Sequence, residues 1–220
     1  MKREIDISTI SYDEWLTFVF DHPVPDNALQ PTDWYWEFNY EVSNVAQLIK
    51  YVTDLCNSFS KVSEIYSLPQ LDQGIWFVIG PCIDFGQYLR NKDVSIDLRQ
   101  SCVRAMYWVY ADFVSKRKLQ ETQTCFWMWW DLLPQAFYIK GDTGHFDDDS
   151  KEMEGTILET LSSILQLQDI TSQRCALHGL GHLKHPKARE VVGDYIDEHG
   201  GEWNEEGRQW LETCREGTVE

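Results

Sequence analysis

Three histidines, His178, His182 and His185, stand four and three positions apart near the C-terminal end of the chain. On a helix, an i, i+4 pair puts two imidazoles on one face, an arrangement that holds zinc. His178 is followed by Gly179, so the glutamate that acts as general base in the HExxH zinc-hydrolase pattern is absent. The expectation is helix-end and turn histidines in a chain that folds without metal or other cofactor. Asp147, Asp148 and Asp149 with Glu152 form a second group. A calcium loop of the EF-hand kind needs alternating ligands, a central glycine and a distal glutamate, and this run lacks that spacing. Placed before a helix from Met153, the three aspartates instead favour the positive end of its dipole or an acidic contact surface. Asp131 sits amid Phe126-Trp127-Met128-Trp129-Trp130; a helix-dipole or hydrogen-bonding role is expected of it rather than a buried carboxylate of raised pKa. No GxGxxG, P-loop, GxSxG or kinase pattern occurs, so the chain reads as non-enzymatic.

The elements that must position these groups are helical. Ser11-Tyr-Asp-Glu14 has capping-box spacing ahead of Trp15, Leu16, Val19 and Phe20. From Ser43 to Tyr66 the apolar residues keep i, i+3, i+4 spacing, which predicts an amphipathic helix with a break near Ser58. Trp34 to Phe38 suits a strand by composition but has no alternating partner nearby, so it reads as a loop entering a helix. Leu71–Ile79 predicts a short core helix, Ile83–Arg90 another turn or two, and Val94–Lys116 a long helix. Thr124–Leu133 is apolar nearly all round and predicts a central helix that Pro134 disrupts or turns. Residues 140–150 form the expected boundary between an N-terminal region, 1–140, and a C-terminal region, 141–220, within one continuous fold. Four helices follow, Met153–Leu167, Ser172–Leu183, Lys187–His199 and Asn204–Arg215, with Asn204 as an N-cap.

Composition narrows the function classes. The 220 residues are 43% hydrophobic, with ten each of Trp, Tyr and Phe, enough for a large core without disulfides. The six cysteines contain no CxxC pair and are expected to be reduced, mostly buried thiols. Met1-Lys2-Arg3 leads into Glu4 and Asp6 rather than an apolar run, and no stretch approaches about 20 apolar residues; a cytoplasmic chain is expected. The net charge is −17. Residues 141–220 hold 18 acidic and 7 basic side chains, against 18 and 12 in residues 1–140. Such a field repels nucleic acid and anionic membranes and speeds encounter with basic proteins.

The stretch RCALHGLGHLKHPKAREVVGDYI, residues 174–196, has a small-residue-rich helix, a tight turn with proline and an amphipathic second helix. Gly179 and Gly181 each cost about 1 kcal/mol relative to alanine inside a helix, which points to close helix approach, and Pro186 suits the first position of the second helix. With Arg174, Ala176, Leu177, Gly179, Leu180, Gly181, Leu183, Pro186, Ala188 and Val191 in place, this stretch resembles a HEAT-like helical repeat of the kind seen in bilin lyases. The resemblance covers about 25 well-fitting residues. It implies an all-α fold of antiparallel helix pairs with a HEAT-like α-solenoid at the C-terminus. It also implies polar turn residues at the places of His182 and His185, and a small buried residue at Cys175 rather than a nucleophile serving His178.

Together these readings predict a protein-binding module, an acidic inhibitor of immunity or antitoxin type for a basic protein such as a toxin domain. A generic HEAT-like scaffold is the alternative, and a bilin-lyase-like chromophore-handling protein a third. The expected contact residues are Asp147, Asp148, Asp149, Glu190, Asp194, Asp197, Glu198, Glu205 and Glu206, with Trp203 or Trp210 as an apolar anchor.

Overall fold

Ten α-helices and a two-stranded ribbon make up the described part of a computed structural model, which covers residues 3–24, 34, 38–80, 82–117, 124–135, 147–183 and 185–219. In chain order they are β1 (Arg3–Asp6), α1 (Tyr12–Phe20), β2 (Phe38–Glu41), α2 (Val45–Ile65), α3 (Leu68–Ile79), α4 (Phe85–Leu89), α5 (Ile96–Asp112), α6 (Cys125–Gln135), α7 (Asp148–Leu165), α8 (Ile170–His182), α9 (Pro186–His199) and α10 (Glu205–Glu216). The all-α expectation holds for the bulk of the chain.

Local chemistry sets most helix starts. Ser11 and Glu14 form the expected reciprocal box: the Glu14 N–H donates to Ser11 Oγ at 3.3 Å and the Ser11 N–H to Glu14 Oε2 at 2.8 Å. The side chains of Asp147, Asp169 and Asn204 accept from Ser150, Ser172 and Gly207 N–H groups at 3.0, 2.8 and 2.8 Å. Pro186 takes the first turn of α9. The break expected near Ser58 is present, with non-helical φ/ψ of −121° and 15° at that residue inside α2. Helix α6 runs one residue past Pro134, because in the last turn a missing N–H forfeits a single bond.

Three readings need correction. Phe38, the last residue of the stretch read as a loop entering a helix, instead opens the strand Phe38–Glu41; residues 35–37 of that stretch lie outside the described residues. The strand pairs in parallel with β1, Arg3 facing Phe38 and Asp6 facing Glu41. Asp6 fixes the end of the ribbon, accepting from Ser8 Oγ at 2.6 Å and from the Ser43 hydroxyl. The long helix expected to reach Lys116 stops at Asp112, and Val114–Lys116 is a single 3-10 turn. Helix α7 begins five residues before Met153, because Asp147 caps it. Of the loop expected over 140–150, residues 140–146 lie outside the described residues.

Packing follows two series of helix contacts, or rows. Helices α2, α5, α7 and α9 contact one another in succession, and so do α1, α3, α6, α8 and α10; α7 packs on α8 and α9 on α10 between the rows. Helices on either side of residue 140 therefore meet directly, α5 on α7 and α6 on α8, and one continuous core runs from Ile7 to Val219. Close approach is real where the glycines predicted it. A Cβ at Gly179 would stand 2.5 Å from Trp130 Cβ on α6, and one at Gly181 would stand 2.6 Å from Val219 Cγ1. Row ends are thinly covered: α9 buries only Ala188, Val192 and Tyr195, and α10 only Leu211 and Cys214. No described helix is long and apolar enough to cross a membrane.

Candidate functional site

The end of the helical stack carries the acidic residues singled out in the sequence. Glu190, Asp194, Asp197 and Glu198 on α9 and Glu205 and Glu206 at the start of α10 are all exposed. The spacing of Ala188, Val192 and Tyr195 turns one stripe of α9 inward, which leaves the acidic positions on solvent. Among the described residues Glu190, Asp194, Asp197 and Glu206 form no ion pair, Glu198 stands 3.8 Å from His199, and Glu205 pairs with Arg208 at 3.2 Å.

The three aspartates at the start of α7 are used differently. Asp147 meets Lys92 at 2.7 Å, and Asp148, almost fully exposed, pairs with Lys151 at 3.3 Å. Asp149 makes a bidentate pair with Arg99, Nη1 to Oδ2 at 2.8 Å and Nη2 to Oδ1 at 2.5 Å. Arg99 is buried and also donates to the carbonyls of Val94 and Leu89 at 3.0 and 3.1 Å. The Arg99 hydrogen bonds hold the Asp149 carboxyl below its ordinary pKa. Two of these three aspartates thus tie the start of α7 to the segment leading into α5.

Between α8, α9 and α10 lies a cleft of about 970 Å³. Trp203 and Trp210, seven positions apart, stack with ring centroids 5.8 Å apart on its wall. Exposed Arg174 sits 5.8 Å from the Trp210 ring and 5.5 Å from that of Trp127, within cation–π range of both. Gln173, Glu202, Glu206 and half-exposed Ile170 complete the rim. Trp203 and Trp210 are neither core nor free: each is partly buried and presents an edge to the cleft.

Trp127 links the cleft to a buried polar cluster. Its ring is 5.6 Å from Trp210 and 4.6 Å from His178. His178 Nε2 lies 3.2 Å from His182 Nε2, which lies 3.3 Å from Asp131 Oδ1 on α6. His178 is buried, and burial together with the neighbouring His182 pushes its pKa down to about 3, so the ring is neutral. His185 is not part of this group; its Nδ1 accepts from the Lys187 N–H at 3.2 Å and caps α9. The i, i+4 histidine spacing was legible in the sequence, but the third member of the cluster was not. It is Asp131, 47 positions before His178, and only the packing of α6 on α8 brings it there. Arg174 was also missed as a site residue, although it falls one helical turn before His178 on the same face.

The six cysteines are thiols rather than disulfides, five of them buried and Cys82 partly exposed. Burial raises the Cys175 thiol to about 12, which removes it as a nucleophile. The chain matches no known protein family, no curated protein and no solved structure.

Proposed function

We propose that this is a non-catalytic binding protein of immunity or antitoxin type, which holds a basic protein partner, such as a toxin domain, against the acidic end of its helical stack. The observation that carries this reading is the coincidence of unpaired surface carboxylates with an aromatic cleft. Glu190, Asp194 and Asp197 stand in solvent without ion pairs among the described residues, on the helix whose last residue, His199, lines a cleft with Trp203, Trp210 and Ile170. Carboxylates at a rim act mainly on the rate and specificity of association. Aromatic side chains in a partly buried groove supply the affinity. A lysine or arginine from the partner entering the cleft would meet Glu202 and Glu206 and an indole face together. Asp149 and Asp147, engaged with Arg99 and Lys92, belong to the scaffold in this reading, while Asp148 remains available.

The two rows of helices support a HEAT-like α-solenoid as the scaffold, longer than the C-terminal stretch that resembles the repeat. In such a stack the last pair has no neighbour on its outer side, so its polar face meets either solvent or a partner. If the binding reading fails, the acidic residues of α9 and α10 are the solvated cap of a generic scaffold.

The test uses the full chain as bait, with identification of what it captures and measurement of association kinetics. The captured protein is expected to be basic. Reversing Asp194, Asp197 and Glu198 to lysine should slow association strongly at low salt and less at high salt, with little change in melting temperature. An acidic partner, or an association rate indifferent to the triple reversal, overturns the proposal.

A further inference from the structure

Among the described residues, Asp131, His178 and His182 form a cluster of three potential metal ligands in which one donor atom from each lies within 4.8 Å of the others. We propose that this cluster is a zinc site, with Asp131 Oδ1, His178 Nε2 and His182 Nε2 as the protein ligands and a fourth position left open.

Distances carry the assignment. With metal–ligand bonds of about 2.0–2.1 Å, neighbouring ligands of a tetrahedral ion stand about 3.3–3.4 Å apart, and those of an octahedral ion about 3.0 Å. The His178–His182 and His182–Asp131 separations, 3.2 and 3.3 Å, fit tetrahedral edges better; the third pair, Asp131 and His178, lies within 4.8 Å and must draw together around the ion. Proton placement points the same way. His182 Nε2 carries either one proton or one lone pair, yet it faces both a carboxylate oxygen and a second imidazole nitrogen. If it is a lone pair, it opposes Asp131; if it is a proton, His178 must turn a lone pair toward it and carry its own proton on Nδ1. That Nδ1 is buried with no hydrogen-bond partner. A cation accepts all three donors at once and removes the conflict at Nε2.

The site is also reachable and pre-positioned. The side chains of His182 and Asp131 are 17% and 16% exposed, so the cluster lies within reach of solvent. Helix α8 supplies both histidines from one face, and α6 supplies the carboxylate through a packed helix contact. The missing acceptor at His178 Nδ1 sets a limit: most zinc-bound histidines donate their second N–H to an outer partner, worth about 10–100-fold in affinity. The expected affinity is therefore micromolar rather than nanomolar.

The experiment titrates zinc into metal-free full-length protein, followed by calorimetry and thermal melting, with cobalt absorption as a report on geometry. One equivalent of zinc should bind and raise the melting temperature, and cobalt should give the intense visible bands of a tetrahedral centre. His182→Ala and Asp131→Asn should each weaken zinc binding by about 100-fold or more, whereas His185→Ala should bind as the unmodified chain does. Both altered side chains lie at the margin of the surface; should His182→Ala not fold, Asp131→Asn decides. Absence of binding at millimolar zinc, binding retained in Asp131→Asn, or a shared dependence on His185 overturns the site. A weak octahedral cobalt spectrum overturns the tetrahedral assignment.

Discussion

Replacing Gly179 by alanine sets two opposed effects against each other, and the geometry decides between them. Inside a helix, glycine to alanine gains about 1 kcal/mol from backbone entropy. At this position the new Cβ would lie 2.5 Å from Trp130 Cβ and 2.9 Å from Leu161 Cδ2, where carbon atoms in contact stand about 3.5–4.0 Å apart. Trp130 Cβ is bonded to the α6 backbone, so no rotamer change relieves the overlap, and α6 and α8 must separate by about 1 Å. Overpacking of this kind costs about 1–3 kcal/mol; with no flexible group to yield, the upper half applies. The net loss is then about 1–2 kcal/mol, or a fall of about 2–8 °C in Tm for a chain of this length. Gly193→Ala in α9 provides the comparison. Its nearest neighbour is Arg215 Cδ at 3.9 Å, an ordinary contact, so the helix-propensity gain survives and Tm should rise by about 2–4 °C. Thermal melting followed by circular dichroism reads both. If Gly179→Ala melts as high as Gly193→Ala, the close approach of α8 to α6 is not the constraint described above.

Asp149→Ala strands the buried Arg99 guanidinium on two carbonyls and should cost about 2–3 kcal/mol, below the range of about 3–5 for a fully buried pair because Asp149 is a quarter exposed. Its carboxyl pKa is held below the ordinary 3.8, so the stability difference between the unmodified chain and the variant should be full at neutral pH and shrink as pH falls below 3.8; denaturant titration at two pH values checks both points. His178, lowered from 6.5 to about 3, works in the same direction: the unfolded chain takes up a proton that the metal-free native state refuses, so stability should fall as pH drops below 6.5. A ring resonance of His178 that titrates near 6.5 would contradict this. In thiol labelling, only Cys82 should react readily in the native protein and all six cysteines after unfolding, since burial pushes Cys102, Cys175 and Cys214 to about 12 and raises Cys56 and Cys125 well above their ordinary value. Rapid native labelling of several thiols would show the core to be looser than its packing implies.

What the sequence revealed was local. The box at Ser11, the break at Ser58, proline opening α9 and the cap at Asn204 each depend on residues within one helical turn. The exposure of Asp194 and Asp197 was legible for the same reason, because the 3.6-residue period fixes which side of α9 turns inward. Contacts between distant segments were not legible. Four residues are too few for alternation to mark Phe38–Glu41 as a strand, and its partner lies at the opposite end of that region. The aspartates at the start of α7 read as a helix N-terminus or an acidic contact surface because nothing near them reveals Arg99, fifty positions earlier than Asp149. Asp131 was noticed for its apolar neighbours, yet its approach to His182 depends on how two helices cross. The two-row packing of the N-terminal helices carried no detectable repeat, since the same helix contacts can be made by unrelated side chains of similar bulk.

The parallel pairing of β1 with β2 also bears on the order in which the chain assembles. Arg3 meets Phe38 across 35 positions, with α1 inside the connection, because parallel strands cannot be joined by a tight turn. The entropy of closing that connection must be met before any of the four-residue ladder forms. Helices α7 to α10, by contrast, meet their chain neighbours across connections of a few residues, and contacts of that kind form early. The stack should therefore grow from its C-terminal end, with the ribbon closing last and opening first. In hydrogen exchange, the amides of β1 and β2 should lose protection before those at the centre of α8, so that the edge nearest the start of the chain is the first part of the molecule to come undone.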